Sequence, residues 1–134
     1  MKELMLAVLL LAFSSCTKEK LDPIQLNQPF TMSTGNKLCA DDKSFCLVMD
    51  RIAADSRCPS TAMCIWQGVA EINFTLIKDG TAYPFSLYTT EWQQYYTDTT
   101  VAGYNFKLQT LTPYPDGLKP IAQKDYKAEL IIRK

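Results

Sequence analysis

The chain has 134 residues, with 14 Lys+Arg balanced by 14 Asp+Glu, no His and 5 Cys, and 47% of it is hydrophobic. That length holds one domain and excludes a second catalytic one. Zero net charge without a Lys/Arg run excludes the cation cluster that a nucleic-acid partner requires, and the absence of His removes Ser-His and Cys-His nucleophile pairs and most catalytic zinc sites.

Met1-Lys2-Glu3 is a short polar start followed by ten apolar residues, Leu4 to Phe13, and then Ser14 and Ser15 before Cys16. This is the layout of a signal peptide over residues 1–15, since ten apolar residues are half of the roughly 20 that cross a bilayer as a helix. A cysteine directly after the two serines resembles the lipobox of bacterial lipoproteins, in which that cysteine is acylated and becomes the new N-terminus. Phe13 departs from it, because Leu is usual three residues before the cysteine. The resemblance implies a lipid (palmitate-type) anchor on Cys16 and hence a membrane partner. An odd cysteine in an exported chain agrees with that reading. Residues 16–28 (CTKEKLDPIQLNQ) are polar and charged, without a sustained apolar period, so they read as a mobile tether. Thr17, in place of the Asp that favours inner-membrane retention in lipoproteins, points to the outer membrane; neither it nor Lys18-Glu19-Lys20 selects the periplasmic or the surface face.

The remainder, 29–134, reads as a single all-β domain. Period-two alternation recurs, and no stretch carries a helical stripe. Strands are expected over Phe30 to Thr34, Leu38-Cys39 and Phe45 to Arg51. The clearest case is Ala70, Ile72, Phe74 and Leu76, ended by the turn dipeptide Asp79-Gly80. A hairpin partner follows over Tyr83 to Tyr88, with Pro84 marking a strand start or a sheet edge. Tyr104, Phe106 and Leu108, and then Tyr126, Ala128, Leu130 and Ile132, complete about seven short strands. The pattern fits a small antiparallel β-sandwich or barrel.

Cys39, Cys46, Cys58 and Cys64 form an even set in an exported chain and predict two disulfides, with local pairing preferred among three connectivities. Cys39 and Cys46 bracket a polar turn, so a hairpin would set them opposite each other. Cys58 and Cys64 bracket a short loop starting at Pro59. Four-cysteine zinc ligation is disfavoured by the six- and five-residue intervals, which lack C-x-x-C spacing; no cofactor or metal is expected.

Asp55-Ser56-Arg57-Cys58-Pro59, four residues, then Cys64-Ile65-Trp66-Gln67-Gly68 and an alternating strand resemble a functionally uncharacterised family of small exported bacterial proteins and lipoproteins marked by DSRCP, four residues and CxWxG. A later Pro113-Tyr114-Pro115 and a final strand ending in basic residues match the same layout. Gln67, where a small residue is common, and the extra Cys39/Cys46 pair depart from it. The resemblance implies export, a disulfide and an all-β fold, and no activity. Physically the motif reads as a folded corner: Pro59 restricts the loop, Cys58 and Cys64 close it, Trp66 covers the core beneath and Gly68 permits close approach. Asp55 and Arg57 pair or bond to loop backbone.

Glu91 to Thr97 gathers Trp92, Tyr95 and Tyr96, a candidate platform for a sugar ring or a protein anchor; the competing expectation is that these aromatics close the end of the sandwich. Asp41, Asp42, Asp50 and Asp55 lack calcium-loop spacing and read as turn residues. The functional expectation is a lipid-anchored cell-envelope binding or accessory protein, not an enzyme and without catalytic residues, with a protein or glycan ligand. A protease-inhibitor-like module presenting the 58–64 disulfide loop, and a purely structural envelope protein, are the alternatives.

Overall fold

The computed structural model describes residues 21–134. The signal peptide expected over 1–15, the lipidation expected on Cys16 and the first part of the expected tether, 17–20, lie outside the described residues.

Among the described residues, eight strands form two four-stranded antiparallel sheets. They are β1 (Pro29–Ser33), β2 (Lys37–Cys39), β3 (Cys46–Asp55), β4 (Ala70–Lys78), β5 (Thr81–Tyr88), β6 (Asp98–Val101), β7 (Tyr104–Thr112) and β8 (Lys127–Arg133). One sheet runs β1-β8-β7-β6 and the other β2-β3-β4-β5. The alternation read from sequence becomes the inner faces: Leu47, Ile72, Phe74, Leu76 and Leu87 from one sheet meet Met32, Phe106, Leu130 and Ile132 from the other, all buried. Burying a side chain of this size contributes about 1.5–3 kcal/mol relative to leaving it exposed. Asp79 and Gly80 both take positive φ, 50° and 74°, in the hairpin between β4 and β5. Pro84 lies on β5, an edge strand paired only with β4, where its missing N–H breaks no ladder.

Strand β6 was not among the expected elements. Its turn to β7 uses Ala102 and Gly103, again both at positive φ, so the hairpin forms although β6 has only four residues and no buried side chain. Two irregularities also break the period-two reading. The β3–β4 register shifts between Met49 and Arg51 and again between Ile52 and Ala54, and the β7–β8 register shifts between Leu108 and Thr110. Such bulges re-aim side chains, which turns Ile52 and Leu111 inward out of parity with the residues before them.

The packed domain begins earlier than the expected boundary. Ile24 is buried and joins the core; its N–H donates to the Cys39 carbonyl at 2.9 Å and its carbonyl accepts from the Asp41 N–H at 3.0 Å. The Asn27 N–H donates to Ile132. Residues 24–28, read as tether, are therefore seated on the domain, because Ile24 and Leu26 supply apolar side chains that the polar composition of their neighbours hid.

Both disulfides are local, Cys39–Cys46 and Cys58–Cys64. The β2–β3 register sets Cys39 opposite Cys46. The two bridges sit at opposite ends of the sandwich, since Cys46 opens β3 and Cys58 follows its far end.

Candidate functional site

Beyond the end of β3 the chain leaves the sheet as Ser56-Arg57-Cys58 and stays tied to the segment leading into β4. Ser56 N–H donates to the Val69 carbonyl at 2.9 Å and Cys58 N–H to the Gln67 carbonyl at 2.8 Å. Gly68, at φ +71°, sits so close to Ser56-Arg57 that a Cβ there would lie 2.6 Å from the Ser56 carbonyl carbon and 2.9 Å from the Arg57 Cα. Only glycine fits that crossing.

Arg57 is 7% exposed and spends its guanidinium inside the corner. Nε and Nη2 donate to the two Asp55 carboxylate oxygens at 2.8 and 2.7 Å. Nη1 donates to the Leu111 carbonyl at 2.8 Å and Nη2 to the Pro113 carbonyl at 2.9 Å. The Tyr126 hydroxyl donates to Asp55 Oδ2 at 2.9 Å. Sequence left pairing and backbone bonding as alternatives for Asp55 and Arg57; both occur. Burial works against the Asp55 carboxylate, but the Arg57 and Tyr126 bonds hold its pKa below the usual value. Burial, then the bond to Asp55, pushes the Tyr126 hydroxyl up to about 12. A charge pair with its donors and acceptors filled orders structure.

That corner positions the Cys58–Cys64 loop. The Tyr114 hydroxyl donates to the Cys58 carbonyl at 2.8 Å, and the Tyr114 ring lies 5.1 Å from the Arg57 guanidinium carbon. Ser60 N–H donates to Pro115 at 3.0 Å, and the Thr61 hydroxyl donates to the Asp116 carbonyl. Pro113-Tyr114-Pro115, noted in sequence only as part of a layout, is thus the buttress of the disulfide loop.

The tip of that loop is apolar and open. Met63 and Ile65 are fully exposed, at 103% and 110%. Trp66 corrects one expectation: it is 39% exposed and does not cover the core. It packs on Trp92 instead, with ring centroids 4.6 Å apart. The segment that carries Trp92 is a tight turn in which Trp92 and Tyr95 exchange backbone hydrogen bonds of 3.2 and 2.9 Å. Trp92 and Tyr96 are exposed, whereas Tyr95 is half-buried against Tyr88. The two regions picked out separately in sequence, the CxWxG loop and the aromatic segment, therefore form one surface.

Beneath it, between the sheets, lies a cleft of about 400 Å³ lined by Gln67, Thr89, Thr90, Leu108 and Tyr114 among others. Arg57 reaches it with its donors already engaged. Among the described residues no group of three or more His, Cys, Asp or Glu could hold a metal ion. Asp42 accepts from the Ser44 N–H and Asp50 accepts from the Thr75 hydroxyl, while Asp41 is exposed. Met63 and Ile65 were given no role in sequence. Their signal was their position beside Cys64, where the bridge keeps a short loop from folding its apolar side chains inward. No protein-family model, curated protein or solved structure matches the chain.

Proposed function

We propose that the protein is a non-catalytic binding protein of the cell envelope, acylated on Cys16, held at the outer membrane, and engaging a partner protein through its Met63/Ile65/Trp66/Trp92 tip. The observation that carries this reading is the complete exposure of Met63 and Ile65 beside the Trp66–Trp92 pair. Aromatic residues and Met are the side chains that gather at protein interfaces. Two aliphatic side chains offer nothing to the hydroxyls of a sugar, which favours protein over glycan.

The placement of the tip supports the same reading. The chain enters the domain at the Cys39 end, where Ile24 is paired, and the tip follows the other end of β3. Its ten residues span roughly 30 Å at about 3.3 Å each. An anchor on Cys16 would leave the tip facing away from the bilayer. Export and acylation rest on the signal-peptide layout and on the resemblance to lipoproteins.

The test is site-specific photo-crosslinking in the native cell, with the probe at position 63, 65 or 92 and a control at the exposed Tyr83 of β5. Discrete adducts from the three tip positions and none from Tyr83 are expected. No adduct from the tip, or the same adducts from all four positions, refutes the reading. Intact mass of the membrane-extracted protein tests the anchor: a chain starting at a lipid-bearing Cys16 is expected, and a chain without lipid refutes it.

A further inference from the structure

We infer that the 61–66 segment is a substrate-like loop that enters the active-site groove of a serine endopeptidase of apolar primary specificity, with Met63 as the side chain that fills the specificity pocket. This rests on the binding reading above and names the class of partner.

The first argument is from the backbone. Among the described residues, no backbone N–H or C=O of Met63, Cys64, Ile65 or Trp66 forms a backbone hydrogen bond, and all four side chains are exposed to solvent. The backbone bends at Ile65 and Trp66, so it is the Met63-Cys64 stretch, on which the proposed cleavage falls, whose free donors and acceptors an extended-peptide groove pairs with. A flat hydrophobic partner would leave those groups desolvated and unpaired, at about 1–3 kcal/mol each.

The second argument is from the flanks. Upstream, Ser60 and Thr61 are fastened to Pro115 and Asp116, and Ala62 N–H closes a turn on the Pro59 carbonyl at 3.0 Å. Downstream, Trp66 packs against Trp92 with the two rings tilted and the Gln67 carbonyl accepts from the Cys58 N–H. Between the two, Cys64 is held to the scaffold by its bridge, while Met63 and Ile65 on either side of it project fully into solvent. A loop held on both sides with its centre free has little ordering entropy left to lose on docking.

The third argument is from connectivity. Hydrolysis of the Met63–Cys64 bond would add one water, leaving a carboxylate on Met63 and an ammonium on Cys64. The new ends remain joined, because Cys64 is bridged to Cys58, five residues upstream of Met63. A cut loop of that kind does not leave the enzyme, and its ends stay at high effective concentration for re-ligation. The same sequence without the bridge would be an ordinary substrate.

The test uses the mature chain with both disulfides intact against chymotrypsin, subtilisin and trypsin, each assayed with a chromogenic peptide. Competitive inhibition of chymotrypsin or subtilisin is expected, at least about 100-fold tighter than that of trypsin, the size of a hot-spot contribution. Met63→Arg, a change at a fully exposed position, should move the preference to trypsin by a similar factor. Ile65→Gly should weaken inhibition without changing the preference. Slow cleavage should yield one species heavier by a water that separates into two only on reduction. Absence of inhibition across the three enzymes, inhibition indifferent to Met63→Arg, or rapid release of several fragments from the loop would each overturn the inference. If crosslinks at positions 63, 65 and 92 persist in that case, the binding reading stands and only the protease groove is lost; if they are absent too, both fall.

Discussion

Replacing Arg57 by Met keeps most of the side-chain volume in the corner and removes the guanidinium. Three consequences follow from the hydrogen bonds on Arg57. The Asp55 carboxylate loses its bidentate partner and keeps only the Tyr126 hydroxyl and its local backbone contact. The Leu111 and Pro113 carbonyls lose their donors. The pair is shielded from water, with side chains 6% and 11% exposed, so a charge is stranded where solvent reaches it poorly. Breaking a buried pair from one side costs about 3–5 kcal/mol, a large part of the 5–15 kcal/mol typical of a whole domain. At roughly 4 °C per kcal/mol for a domain of this size, the melting temperature should fall by about 12–20 °C. Urea unfolding at neutral pH with both disulfides intact, followed by tryptophan fluorescence, measures the loss of free energy, and thermal unfolding followed by circular dichroism measures the fall in melting temperature. The double variant Asp55→Asn/Arg57→Met should be less destabilised than the sum of the single variants, by about 1 kcal/mol or more. A loss below about 1 kcal/mol for Arg57→Met, or strict additivity in the cycle, would refute the claim that this pair organises the corner.

Gly68→Ala should be among the most damaging substitutions in the chain, because its Cβ would press on the Ser56-Arg57 backbone; Gly35→Ala, also at positive φ but with nothing within 4 Å, should cost about 1 kcal/mol. Comparable unfolding midpoints for the two would show that the crossing at Gly68 is not tight. The raised Tyr126 pKa makes alkaline stability testable. An unfolded tyrosine ionises near 10 and the folded one near 12, so its contribution is intact below pH 10 and is lost as pH rises from 10 to 12. Tyr126→Phe should flatten that part of the stability curve, and an unchanged slope would contradict the Tyr126–Asp55 bond. For Asp55 the sign is opposite: its lowered pKa contributes stability above the unfolded value of 3.8 that is lost as pH falls below it.

Strands with a wet face and a dry face were legible because alternation encodes them directly. This holds for β4, β7 and β8, and for the Asp79-Gly80 turn. Strand β6 was not legible, since its only apolar side chain, Val101, is partly buried against the core and one residue makes no alternation; the Ala102-Gly103 turn before Tyr104 was its one signal. Parity after Met49 and after Leu108 was lost to the bulges, which sequence does not mark. The site was legible in its parts but not as a whole. The Cys58–Cys64 closure and the Asp55/Arg57 pair are local in sequence and could be read there. Trp66 meeting Trp92 is a long-range contact between two loops, and period and spacing say nothing about which loops face each other. The bias that large apolar residues are buried also concealed Met63 and Ile65, which the bridge and the buttress keep outside.

The opposed placement of N-terminal entry and tip has a mechanical consequence. In a chain tethered at its N-terminus and pulled at Met63, the load runs nearly parallel to the strands. Hydrogen bonds between strands lie perpendicular to them, so β1 is drawn along β8 over all five of their residue pairs at once and does not peel away pair by pair. Bonds loaded together in shear must fail together. The fold is therefore oriented to carry tension between a tether on its N-terminal side and whatever holds the loop, with the Cys58–Cys64 bridge closing the loop where the pull is applied.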